Sequence, residues 1–198
     1  RCAEAISEFT LNSQFYRSKG PEYRTVLGWV LGFWGMTDLV CSDVPHAIES
    51  LREATEISEG SNLDQSMAWN YYLGLCFLVE FMTPSAVEHF EKCLKLHEGP
   101  TIQKGRDYFN CGALIGLARV KGLEGASTEA SRLLAEAEVI AQEREYNDHM
   151  AFIRFIQAQL AWSGRISVGE VRKIEPVLKY YQEALIYALR FNRFLLDD

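Results

Sequence analysis

The chain has 198 residues, 48% of them hydrophobic, and its 27 acidic and 20 basic side chains give a formal net charge of -7. A chain of this size can bury a substantial core as one elongated unit, while the acidic balance argues against a broad electrostatic footprint on nucleic acid or an anionic membrane. The most apolar stretch, Val26 to Val40, is cut by Gly28, Gly32, Gly35 and Asp38, so no run approaches the ~18 uninterrupted apolar residues of a membrane span.

In chain order, apolar residues recur at helical spacing almost throughout, and no stretch alternates strictly enough for a half-buried strand. Helices are predicted over Cys2 to Arg17, Glu22 to Val40, Pro45 to Ser58, Leu63 to Phe81, Pro84 to Leu96, Ile102 to Lys121, Thr128 to Glu143, Asp148 to Trp162 and Pro176 to Arg193. Stop and start signals separate them, such as Lys19-Gly20-Pro21, Glu59-Gly60-Ser61-Asn62 and Thr83-Pro84-Ser85. Thr83 and Asp43 are expected to cap the helices that follow, each with a proline just inside the start.

The helices pair at a nearly fixed period. Glycines at one template place stand at Gly35, Gly74 and Gly116, with Ala158 in the equivalent position, so the steps are about 39, 42 and 42 residues, the period of stacked helical repeats. Leu73-Gly74-x-x-Phe77 followed by Ala86, Phe90 and Cys93 carries the fullest version. Weaker copies follow as Ala47, Leu51, Ala54, then Ala130, Leu134, Ala137, then Val177, Tyr181, Ala184. Small residues let backbones approach while a large one fills the wedge, so each hairpin buries its face only by stacking on its neighbours.

This skeleton resembles the tetratricopeptide superfamily over roughly residues 22 to 194. The loose period, with phrases such as Leu133-Leu134-Ala135-Glu136-Ala137-Glu138 and Tyr181-Gln182-Glu183-Ala184-Leu185, is similar to the C-terminal repeat arrays of large signal-transduction ATPases and related bacterial regulators. The resemblance implies an all-α fold, an α-α superhelix of about four helical hairpins plus one N-terminal helix. It is read as a single solenoid domain over 1–198, with a truncated repeat at 1–20 and repeats at 22–60, 62–98, 101–145 and 147–194. Arg1 opens directly into a helical pattern, so the chain is expected to be a piece of a longer protein. Between Ala158 and Val177 the last hairpin carries an insertion, Arg165 to Ile174, of a kind that maps to a loop on one face of the array.

In the superfamily the first helix of each hairpin lines the concave groove. Carried over, its positions are Trp29, Gly32, Met36 and Leu39; Ala68, Tyr71, Leu75 and Leu78; Asn110, Ala113, Leu117 and Val120; and Phe152, Phe155, Gln159 and Trp162. The partner-binding candidates are Trp29, Tyr71, Leu75, Asn110, Phe152, Phe155, Gln159 and Trp162. A clamp for a peptide carboxylate needs charged or amide donors there, and only Asn110 supplies one. The groove therefore either closes on itself as core or takes an amphipathic helix or apolar peptide.

No catalytic, cofactor or metal motif emerges, and the chain has no Gly-x-x-x-x-Gly-Lys-Ser/Thr phosphate loop. His89, Cys93 and His97 share one side of a helix, but i to i+8 spans about 12 Å, too far for one ion. Cys41 and His46 straddle a turn with nothing to orient them for nucleophilic chemistry. Arg165, Arg172, Lys173, Lys179, Arg190 and Arg193 make the last hairpin locally basic, read as a solvated face, with a docking patch for an acidic partner or a nucleic-acid backbone as the competing idea. Five cysteines at apolar helix positions predict reduced thiols and a cytoplasmic setting. The expected function is a non-enzymatic, protein- or peptide-binding sensor arm of a larger regulator, whose partner includes the possibility of another segment of the same parent. The alternative is a structural scaffold that mediates self-assembly or complex assembly through its ends or convex face.

Overall fold

The computed structural model describes residues 2–97, 104–163 and 177–187. Among them every regular element is helical. The elements are α1 (Cys2–Lys19), a 3-10 turn (Pro21–Tyr23), α2 (Arg24–Val40), α3 (Val44–Ser58), α4 (Leu63–Val79), α5 (Thr83–His97), α6 (Lys104–Leu123), α7 (Ser127–Glu143) and α8 (Asn147–Trp162), and residues 177–187 are helical as well. None is long and apolar enough to cross a membrane. The chain separates into two compact units, Arg1–Phe109 and Asn110–Asp198, with the division falling inside α6. The predicted insertion at 165–174 lies outside the described residues, as do Arg190 and Arg193.

Helix boundaries follow local chemistry. Asp43 caps α3 by accepting from the His46 amide at 3.3 Å, and Asn62 caps α4 by accepting from the Gln65 amide at 3.1 Å. The expected cap at Thr83 does not form. Helix α5 starts one residue earlier, with the Met82 carbonyl accepting from the Ala86 amide at 3.0 Å, so Thr83 is already helical. Four helix ends close in the same way. After α2 the Asp43 amide reaches back to the Asp38 carbonyl, after α4 Met82 to Phe77, after α6 Ala126 to Lys121 and after α7 Tyr146 to Ala141, at 2.8–2.9 Å. The residue before each donor, Ser42, Phe81, Gly125 and Glu145, has a φ of 66°, 57°, 82° and 59°, the left-handed closure that favours glycine.

Within the first unit each helix packs on its neighbour in sequence: α1 on α2, α2 on α3, α3 on α4 and α4 on α5. The repeat skeleton is what meets. A Cβ at Gly35 would lie 2.5 Å from Leu51 Cγ and 3.0 Å from the Ala47 carbonyl, and one at Gly74 would lie 2.5 Å from the Phe90 ring. Ala47, Leu51, Ala54, Ala86, Phe90 and Cys93 are fully buried. In the second unit α7 packs on α8, Leu160 occupies the space beside Gly122, and the Cys111 thiol donates to the Ala137 carbonyl at 3.3 Å. Arg154 ties this unit together. Its guanidinium donates to both oxygens of Glu138, at 3.0 and 2.5 Å, and its Nε lies 2.8 Å from Glu183 as an ion-pair contact.

Candidate functional site

Helix α2 carries its apolar and aromatic side chains on a glycine-rich frame, and the glycines decide which face is open. Gly32 leaves room for the Trp69 indole of α4 to seat directly against the helix backbone. Trp69 is thereby buried, and Trp29 and Phe33 stand over it. The Trp29 and Phe33 rings stack on one another, with centroids 5.5 Å apart and planes 18° from parallel. Each meets Trp69 edge-on, at 5.4 and 5.8 Å, the arrangement that ring quadrupoles favour. Trp29 is 37% exposed and Phe33 45%, so the stack is a fixed apolar surface rather than a pair of loose side chains.

The remaining predicted positions divide. Tyr71 is buried among Tyr72, Phe90 and Phe109, with centroids 5.0–6.5 Å away, and Leu75 beside it is half-buried. Ala68, Leu78, Ala113, Leu117 and Val120 are core, and Asn110 is half-buried. On α8, Phe152 is 59% exposed and Trp162 70%. Gln159 is also exposed, and Phe155 keeps an outward surface while meeting Tyr181 edge-on at 6.0 Å. Phe33 was not among the predicted residues. Its place four residues after Trp29, on the same helix face, is the signal that would have found it.

A second concavity opens elsewhere in the first unit, a cleft of about 820 Å³. Helices α3 and α5 each pack on α4 and not on one another, so they form two walls over an α4 floor of Ser66, Asn70 and Leu73. At one end Phe77 meets both walls: the Arg52 guanidinium lies 5.5 Å from its ring centre and the His89 ring stacks on it at 5.3 Å. The floor is internally bonded. Asn70 Nδ2 donates to the Ser66 carbonyl at 2.7 Å, which turns its Oδ1 toward His89 Nδ1 at 2.9 Å. His89 Nδ1 therefore carries the ring proton and Nε2 is the acceptor. Burial, with the nearby charge of Lys92, holds the His89 pKa below its ordinary value, so the ring stays neutral.

The metal and nucleophile candidates resolve into packing roles. His89 bonds Asn70, buried Cys93 donates to the Phe109 carbonyl at 3.6 Å, and His97 Nε2 pairs with Asp107 at 3.0 Å. Among the described residues no three potential ligands converge. His46 pairs with the fully buried Asp38 and lies against Trp34; burial pushes the Asp38 carboxyl up from the usual range and His46 opposes it. Cys76, Cys93 and Cys111 are free and buried, each thiol pushed up to about 12 by burial. Cys41 departs from the expectation of reduced thiols throughout, because it is disulfide-bonded.

No protein-family model matches the chain, and neither the curated proteins nor the solved structures contain a detectable relative. The arrangement that stands on its own observations is an all-helical, repeat-like chain with consecutive helices in contact.

Proposed function

We infer that the chain is a tetratricopeptide-like binding module that captures an apolar or amphipathic peptide segment, acting as a sensor or scaffold arm of a larger regulator. The observation that carries this reading is the exposed Trp29–Phe33 stack seated on buried Trp69. Rigid aromatic pairs held part-open are favoured anchors, because little side-chain entropy remains to be lost on contact. Phe152, Phe155 and Trp162 offer similar chemistry on the second unit. The test is selection of displayed peptides on the whole chain, with a Trp29→Ala/Phe33→Ala variant for counter-selection. Amphipathic sequences should be enriched that bind the wild type and not the variant, while the variant keeps its helicity and melting temperature. Equal recovery on both proteins would remove the aromatic face from the function.

Self-assembly is a second reading, favoured by the α4–α5 turn. Phe81 is 81% exposed there, beside Val79 at 53% and Met82 at 49%, an apolar tip on an otherwise polar edge. Light scattering across a concentration series separates the two. A constant monomer mass opposes assembly, and a mass that rises in the wild type but not in Phe81→Ser supports it.

A further inference from the structure

The cleft between α3 and α5 is not the first-helix surface, and its carboxylates and its lysines stand on opposite sides. Glu56 from α3 and Glu59 just past its end line one side, with Arg52 of α3 drawn toward the Phe77 ring, and Lys92 and Lys95 line the other side from α5. Lys92 pairs within its own helix, with Glu88 at 2.8 Å, and among the described residues no ion pair joins the two walls. Beyond Arg52, the Glu56–Glu59 stretch thus lies across the cleft from the α5 lysines without neutralising them. The α5 wall runs from His89 to Leu96, eight residues or about 10 Å of helix, which matches about four residues of extended chain. Extended chain has a further property: successive side chains point to opposite sides.

We propose that the α3–α5 cleft binds an extended peptide segment of alternating charge, its basic side chains facing Glu56 and Glu59 and its acidic side chains facing Lys92 and Lys95. Charge complementarity selects this occupant. A uniformly acidic segment would meet Glu56 and Glu59 and a uniformly basic one Lys92 and Lys95, and like charges brought together cost binding. Half-buried Leu63 and Leu96 in the lining give the segment apolar contact. The proposal goes beyond the aromatic-face reading and does not depend on it, since the two surfaces share no residue.

The experiment uses the whole chain and four fluorescein-labelled hexapeptides with blocked ends: alternating Lys-Glu, its block isomer Lys-Lys-Lys-Glu-Glu-Glu, hexa-Glu and hexa-Lys. Binding is read by fluorescence anisotropy at low and at physiological salt. The alternating peptide should bind at least about fivefold more tightly than its block isomer and than either homopolymer, with affinity falling as salt rises. Lys92→Glu/Lys95→Glu should weaken the alternating peptide by about tenfold or more and turn the preference toward hexa-Lys. Glu56→Lys/Glu59→Lys should turn it toward hexa-Glu. All four positions are exposed, and circular dichroism checks that each variant folds. Peptides selected on the Trp29–Phe33 face should bind these variants as they bind the wild type, so failure of either site is read separately. Equal affinity for the alternating and block peptides, tighter binding of hexa-Glu by the wild type, no binding at millimolar peptide, or indifference to the wall variants would each overturn the proposal.

Discussion

Helices α2 and α4 occupy the same place in successive hairpins and present different surfaces. Both use a glycine where the next helix presses in, Gly35 under Leu51 and Gly74 under Phe90. Yet the aromatic on the shared face is part-open on α2, as Trp29, and buried on α4, as Tyr71. The reason is what lies beside each. Tyr71 is covered by Phe90 and Phe109 from the elements that follow, whereas Trp69 takes the inner position against Gly32 and leaves Trp29 and Phe33 on top. A repeat template therefore assigns a residue to a helix face, and its neighbours decide whether that face is core or surface.

The comparison can be broken at its strongest point first. Phe90→Ala removes the ring that fills the wedge beside Gly74, and should cost about 3–5 kcal/mol in urea denaturation, as large-to-small changes in a packed core do. Gly74→Ala acts on the same contact from the other side. The added methyl would sit 2.5 Å from the Phe90 ring, so overpacking of about 1–3 kcal/mol should outweigh the gain of up to about 1 kcal/mol from helix propensity. A more stable Gly74→Ala protein would mean that the two helices are not held that closely.

Much of this was legible in the sequence because it depended on local rules. The eight helices α1–α8 start and stop within about two residues of their punctuation, a margin expected of helix ends, and the Gly74, Ala86, Phe90 and Cys93 skeleton forms the α4–α5 contact as its sizes require. What was not legible is set by contacts distant in sequence. Nothing near Trp69 announces that it turns toward Gly32, 37 positions earlier in the chain, and nothing near Arg52 announces that Phe77 joins it to His89. The α3–α5 cleft was invisible for the same reason: its charged residues look like ordinary solvated helix faces until α4 is placed between them. The Thr83 start of α5 departs from the expected cap because a Thr-Pro pair serves as well inside a first turn as before it.

Smaller effects sharpen the contrast at the turns. Phe81 holds a left-handed φ of 57° at the place where the α6–α7 turn uses Gly125. Phe81→Gly should therefore stabilise the fold by about 0.5–1 kcal/mol, less than the full left-handed penalty because glycine also loosens the unfolded chain. A loss of stability instead would show that Phe81 makes a structural contact. The smallest effect belongs to His89, whose pKa is lowered by burial. Below about pH 6.5 the unfolded chain takes up a proton that the folded ring refuses, so this contribution to stability is present above that pH and declines as pH falls through the window beneath it. His89→Gln should flatten that part of the pH–stability profile, and an unchanged slope would mean that the ring titrates freely.

The most direct test of the account sets Trp29→Ala beside Tyr71→Ala, measuring stability by urea denaturation and affinity for a peptide selected on the wild-type chain. Tyr71→Ala should lose about 3 kcal/mol of stability, as truncation of a buried aromatic does. Trp29→Ala should lose less than about 1 kcal/mol and yet bind the peptide at least about tenfold more weakly. A Trp29→Ala protein that unfolds as readily as Tyr71→Ala, or that keeps its affinity for the peptide, would contradict the division of this shared helix face into core and binding surface.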